Sequence, residues 1–281
     1  MSYEARPSDT CKWIICQKID RDLILNRWGS IINFIIEYIN NDNYVHTMIN
    51  YFYVPVSPRF NRAHLHHDIL IYGYNLIEKV FYVSDFFHKG KYGFEEISFC
   101  DFEKAYLLNN LTTNLDYLNN LVYCYSINKK CDYKFNINNI TYSIGAYLNA
   151  TVSEYWLMYN SDNKSNIAFG YEIYASLRNY IAKQMYHKAF IDIRPFYLLY
   201  DHKKIMTLRI KYLYKKGFFV ENYHKNIDHF YNIEKQTEAI INLLIKYNML
   251  KTDELIKKIV VLLNSIEIKE QEILNQYTYL K

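Results

Sequence analysis

The chain has 281 residues, 51% of them hydrophobic, and a formal net charge of +4. This is material for one large domain or two small ones, with a charge too mild and too scattered to define a nucleic-acid surface. The 31 tyrosines, with abundant Asn, Ile and Lys, read as the coding bias of an AT-rich genome rather than as a specialised aromatic surface.

The first residues, MSYEARPSDTCKW, lack an apolar core, so no secretory signal is expected. The most apolar run, IINFIIEYI (31–39), is interrupted by Asn33 and Glu37 and is too short to span a bilayer. The expectation is a cytoplasmic protein with no membrane partner and with its five cysteines reduced. None of those cysteines has a spacing suited to zinc, so neither a metal nor a bound cofactor is expected.

Pro7, Ser8, Asp9 and Thr10 are residues that start helices, which predicts Cys11 in a first helical turn. Residues 22–40 carry a helical stripe of Trp28, Ile31, Ile32, Ile35, Tyr38 and Ile39. YVHTMINYFYVP (44–55) reads as a strand stopped by Pro55, and 56–65 as a loop. A hairpin follows at about 67–86, with NLIE at its turn, and 97–110 reads as a strand end running into a helix. CYSINKKCDYKFNIN (124–138) reads as a small hairpin. Beyond it, periodicity predicts helices at about 139–159, 168–188, 196–216, 223–248 and 252–278. The fold class is therefore α+β, with a sheet-containing domain over 1–138 and a helical domain over 139–281.

The hairpin HHDILIYGYNLIEKVFYVSDFF (66–87) carries the chemistry. His67 stands at the start of one strand and Asp85 at the end of the next, so antiparallel pairing brings them to one end. An Asp that accepts the Nδ1 proton fixes the tautomer and stabilises the imidazolium, as a general base requires. Capping of strands at a solvated edge is the alternative. His66 and His64 are read as loop histidines without a role, and Asp68 alternates away from His67.

His67, the apolar run, Gly73-Tyr74, the short turn, the second apolar strand and Asp85 resemble the second half of the papain-like cysteine peptidase fold. The pattern is most similar to the bacteriocin-leader peptidases and the butirosin biosynthesis protein H N-terminal family. That resemblance implies His67 as base, Asp85 as its orienting residue and an antiparallel sheet in the N-terminal part. It also implies a nucleophilic cysteine at an early helix N-terminus, where the dipole lowers the thiol pKa. Cys11 is the candidate. Cys16, in an apolar run that suits a buried core thiol, is the second candidate, and Cys100, Cys124 and Cys131 are read as structural.

The implied function is a thiol-dependent acyltransferase of specialised peptide or antibiotic biosynthesis, with a Cys11–His67–Asp85 triad. Its partners would be an acyl or peptidyl carrier protein, which brings the phosphopantetheine, and an amine acceptor. The alternatives are a cysteine peptidase and a catalytically silent binding protein, the last favoured by the lack of a Gln among residues 1–10. Residues 192–216 gather Arg194, His202, Lys203, Lys204, Arg209, Lys211 and Lys215 on one helix. These form either a basic face for such a carrier or an ordinary solvated face.

Overall fold

A computed structural model describes residues 11–88, 91–108, 120–132, 134–151, 168–218 and 221–279. The fold is α+β, and the chain divides into two compact units, residues 1–133 and 134–281. A boundary at 138 would cut the first turn of the helix Ile137–Leu148, whose partners lie in the second unit.

The N-terminal unit is built on an antiparallel sheet of β1 (Ile14–Asp20), β2 (Tyr44–Asn50), β3 (His66–Asn75), β4 (Val80–His88), β5 (Lys91–Ser98) and β6 (Leu121–Ile127). Their order across the sheet is β1-β6-β2-β3-β4-β5. Helices α1 (Arg21–Trp28), α2 (Ile31–Asn40) and α3 (Phe99–Leu107) supply the rest. Val45, Ile49, Ile69, Ile71, Phe81 and Val83 alternate along the strands and bury against Ile24, Phe34 and Phe102 of those helices. Burial of that apolar surface is the main stabilising term of the unit.

The single helix expected over 22–40 is two helices. Gly29 adopts a left-handed φ of 71° and ends α1, and the Ser30 hydroxyl accepts from the Asn33 amide to begin α2. The strand expected to reach Pro55 ends at Asn50, whose Oδ1 accepts from the Phe52 amide and turns Tyr51–Tyr53 into a 3-10 turn. No helix begins at Cys11. A turn at Lys12–Trp13 leads directly into β1, which pairs along its whole length with β6. The hairpin expected over 124–138 is not formed among the described residues: Tyr123–Tyr125 pair with β2 and the strand ends at Ile127.

Between β3 and β4 the turn is held by Asn75 Oδ1, which accepts from the amides of Ile77 and Glu78. The ladder carries a bulge between Ile71 and Gly73. A Cβ at Gly73 would stand 2.9 Å from the Tyr82 ring, so any other residue there has to displace that ring. Arg21 is buried and ties three elements together. Its guanidinium donates to Met48 O at 2.8 Å and Tyr106 O at 2.7 Å, and lies 3.6 Å from the Tyr106 ring centroid.

The C-terminal unit is helical, with α4 (Ile137–Leu148), α5 (Ile173–Tyr186), α6 (Arg194–Lys215), α7 (Tyr223–Leu250) and α8 (Asp253–Leu274). The helix expected over 139–159 ends at Leu148, and its second half falls outside the described residues. Apolar stripes of α6, α7 and α8 (Phe196, Ile210, Phe230, Ile240, Ile259 and Leu263) meet in a core of their own. No helix among the described residues is long and apolar enough to cross a membrane.

Within this core is a buried polar network. Lys203 Nζ lies 2.7 Å and 2.8 Å from the two carboxylate oxygens of Glu270, and both side chains are fully inaccessible. Tyr174 and Tyr147 donate to Glu270 Oε2 at 2.6 Å and 2.9 Å, and Lys203 donates to the Tyr147 hydroxyl. Burial pushes the Glu270 carboxyl up, but the Lys203 charge and these hydrogen bonds outweigh it and hold it below the ordinary carboxylate range. Lys203 is therefore no part of a basic docking face. Burial also depresses His202 to about 4, which keeps its ring neutral beside Lys203. The solvent-facing cations of that helix are Arg194, Lys204, Arg209, Lys211 and Lys215.

Candidate acid–base site

His67 is the second residue of β3, opposite Ile49 of β2, and Asp85 lies near the end of β4 opposite Gly93 of β5. Both side chains project from the face that carries Ile69, Ile71 and Val83. His67 Nδ1 is 2.9 Å from Asp85 Oδ2 and 2.9 Å from the carbonyl oxygen of Asp68. Both neighbours can only accept, so the proton is on Nδ1 and the tautomer is fixed. The Asp85 side chain is 8% exposed and that of His67 41% exposed. The second ring nitrogen, Nε2, has no partner among the described residues.

Tyr51, in the turn after β2, also donates its hydroxyl to Asp85 Oδ2, and its ring centroid lies 5.0 Å from that of His67. Burial, and then the Asp85 hydrogen bond, hold the Tyr51 hydroxyl well above the usual tyrosine range, so it stays a neutral donor. Burial alone would raise Asp85. Hydrogen bonds from His67, Tyr51 and the Phe86 amide outweigh it and lower the carboxyl below its usual value. The hydrogen bond to Asp85 raises His67 to about 9, with burial pulling the other way. At neutral pH the pair is an imidazolium held by a carboxylate, with Nε2–H available as a proton donor.

The sign of the pH dependence follows. His67 titrates higher folded than unfolded, near 6.5 in the free chain, so its contribution to stability is complete below about 6.5 and lost as pH rises through about 9. Asp85 is lowered, so its contribution is present above the ordinary carboxylate value and lost in acid. NMR titration of His67 is expected to give a midpoint of about 9 in the parent protein and a clearly lower one in Asp85→Asn. An unchanged midpoint in that variant would remove Asp85 as the cause.

No cysteine is brought to this pair, and all five are described. Cys16 faces Tyr125, level with Tyr44, on a strand three positions from β3. At about 4.8 Å per strand and 3.4 Å per residue, that is roughly 20 Å from His67. Cys11 lies before the turn into β1, its carbonyl bonded by the amide of Ile14, which stands two residues further than Cys16 from the level of His67. This corrects the expectation of a Cys11 thiolate at a helix start beside His67. Cys124 is buried in the core, where desolvation pushes its thiol up to about 12, and Cys131 lies past the end of β6. Cys100 opens α3, whose Phe99 amide bonds Lys79 at the far end of β4 from Asp85.

Three further contacts have no signature in the sequence. Tyr51 reaches Asp85 only because the chain turns after Asn50. Asn50 also holds His64: its Nδ2 lies 3.0 Å from His64 Nδ1 and 3.2 Å from Leu108 O. On the opposite face, the Asp68 carboxylate lies 3.6 Å from His46 Nε2. No group of three or more His, Cys, Asp or Glu among the described residues could hold a metal ion. No protein-family model and no curated protein matches the chain.

Proposed function

We propose that the His67–Asp85 pair is the acid–base centre of an amide-forming acyl transfer in which both the thiol and the amine arrive with the substrates. The observation that carries this reading is the tautomer-fixing bond from a half-exposed His67 to a buried, ionised Asp85. The thioester substrate class, the carrier-protein partner and the papain-like relationship rest on the resemblance of the hairpin residues. An acyltransferase built this way needs no enzyme thiol. The amine nitrogen bonds to the thioester carbon, and the C–S bond breaks. The His67 imidazolium gives its Nε2 proton to the departing thiolate, and the neutral ring then takes one from the new amide nitrogen. Thioester and amine become amide and thiol, with His67 restored.

The experiment is turnover of pantetheine thioesters with free amines by the parent protein, Cys11→Ala and Cys16→Ala. Both variants are expected to retain full activity and to show no acyl adduct by intact-protein mass spectrometry. An adduct lost only in Cys11→Ala would overturn the direct route and restore a thiol nucleophile. The placement of every cysteine away from His67 also favours a second reading, a catalytically silent protein that binds a carrier or peptide. It is distinguished by carrier binding without turnover in any variant.

A further inference from the structure

Among the described residues the sheet ends on β5, with no strand on its far side. The outer face beside that edge is aromatic. Phe94 is 69% exposed, Phe86 55% and Tyr92 53%. The rings form a connected row: Phe86 lies 5.3 Å from Tyr92, Tyr92 6.1 Å from Phe94, and Phe94 5.6 Å from Tyr72. An exposed aromatic row bordering an open strand edge is a surface that monomeric proteins avoid.

The strand sequence KYGFEEIS says what fits this edge. A second copy joined edge to edge about a two-fold axis normal to the sheet must pair residues of the same face. That condition leaves only axes that pass through a residue. An axis at Glu95 sets two glutamates against each other, and one at Phe94 puts Lys91 opposite Ile97. An axis at Tyr92 leaves Glu95 beyond Lys91. With the axis at Gly93, Lys91 faces Glu95 of the second copy and Tyr92 faces its Phe94, each pair occurring twice. Opposite charges and paired aromatics are the favourable cross-strand neighbours.

We infer that β5 pairs antiparallel with β5 of a second copy of this chain, about a two-fold axis at Gly93. The sheet then runs continuously through two copies, and the aromatic row of each continues into the other. Gly93 stands opposite Asp85 in the β4–β5 ladder, so the axis passes one strand from the candidate site. The two Asp85 residues then lie on one face, three strand spacings or about 14 Å apart.

Sedimentation equilibrium of the full chain tests this directly. The parent protein is expected to dimerise. Lys91→Glu and Glu95→Lys alone are each expected to weaken the dimer roughly tenfold, since each sets two like-charged pairs face to face. The double variant Lys91→Glu/Glu95→Lys is expected to restore it. A Gly93→Cys chain is expected to link to itself under mild oxidation, whereas Ile97→Cys is not. A parent protein that stays monomeric at every concentration overturns the inference. So does a dimer indifferent to both single charge changes, or one that Gly93→Cys fails to link.

Discussion

Replacing His67 with alanine is expected to lower turnover on the order of 10²-fold or more, the usual contribution of a positioned acid–base group. The fold should persist. His67 is partly exposed, and Asp85 keeps the Tyr51 hydroxyl and the Phe86 amide when the imidazole is gone. The melting temperature should fall only modestly, and the fall should shrink as the pH is raised past about 9, where the parent protein has itself lost the charged pair. Turnover of thioester and amine, followed beside the melt, decides the matter. Near-full activity in a folded His67→Ala protein would exclude His67 from the chemistry and leave the pair as architecture.

The largest effect on stability is expected in the other unit, from Glu270→Ala. That change leaves the Lys203 ammonium fully buried without a carboxylate and strips Tyr147 and Tyr174 of their acceptor. Breaking a buried pair from one side typically costs about 3–5 kcal/mol, because the remaining charge is uncompensated. The double change Lys203→Met/Glu270→Leu should be far less harmful than Glu270→Ala alone, since it removes both charges together. Denaturant unfolding of the three proteins measures the difference. If Glu270→Ala unfolds at the parent midpoint, the network contributes nothing and its burial is incidental.

The parts of the fold legible in the sequence are those set by local pattern. The helices α6, α7 and α8 follow apolar periodicity, and the β3–β4 hairpin follows two apolar strands around Asn75–Glu78. The parts that were not legible depend on distant partners. IICQKID shows no clean alternation, yet it becomes β1 because β6, more than 100 residues later, offers it a ladder. Cys11 leads through a turn into that pairing instead of into a helix, and with the helix goes the expected thiolate. Lys203 looks like any solvated lysine until Glu270 appears opposite it. Within the site, His67 and Asp85 are visible because one hairpin contains both. Tyr51 is not, because its role depends on a turn set by the Asn50 side chain.

The extra residue in β3 has a consequence for which of two adjacent histidines meets the carboxylate. From the turn outward the ladder pairs Asn75 with Val80 and Gly73 with Tyr82, but beyond the bulge it pairs Ile71 with Val83 and Leu70 with Ser84. Had the first register continued, Asp85 would have stood opposite Leu70, on the face of His66, and His67 would have pointed away. One inserted position exchanges the partner without altering either side chain. Selection between His66 and His67 is thus made five residues downstream, at Tyr72, and guarded by the glycine that follows it.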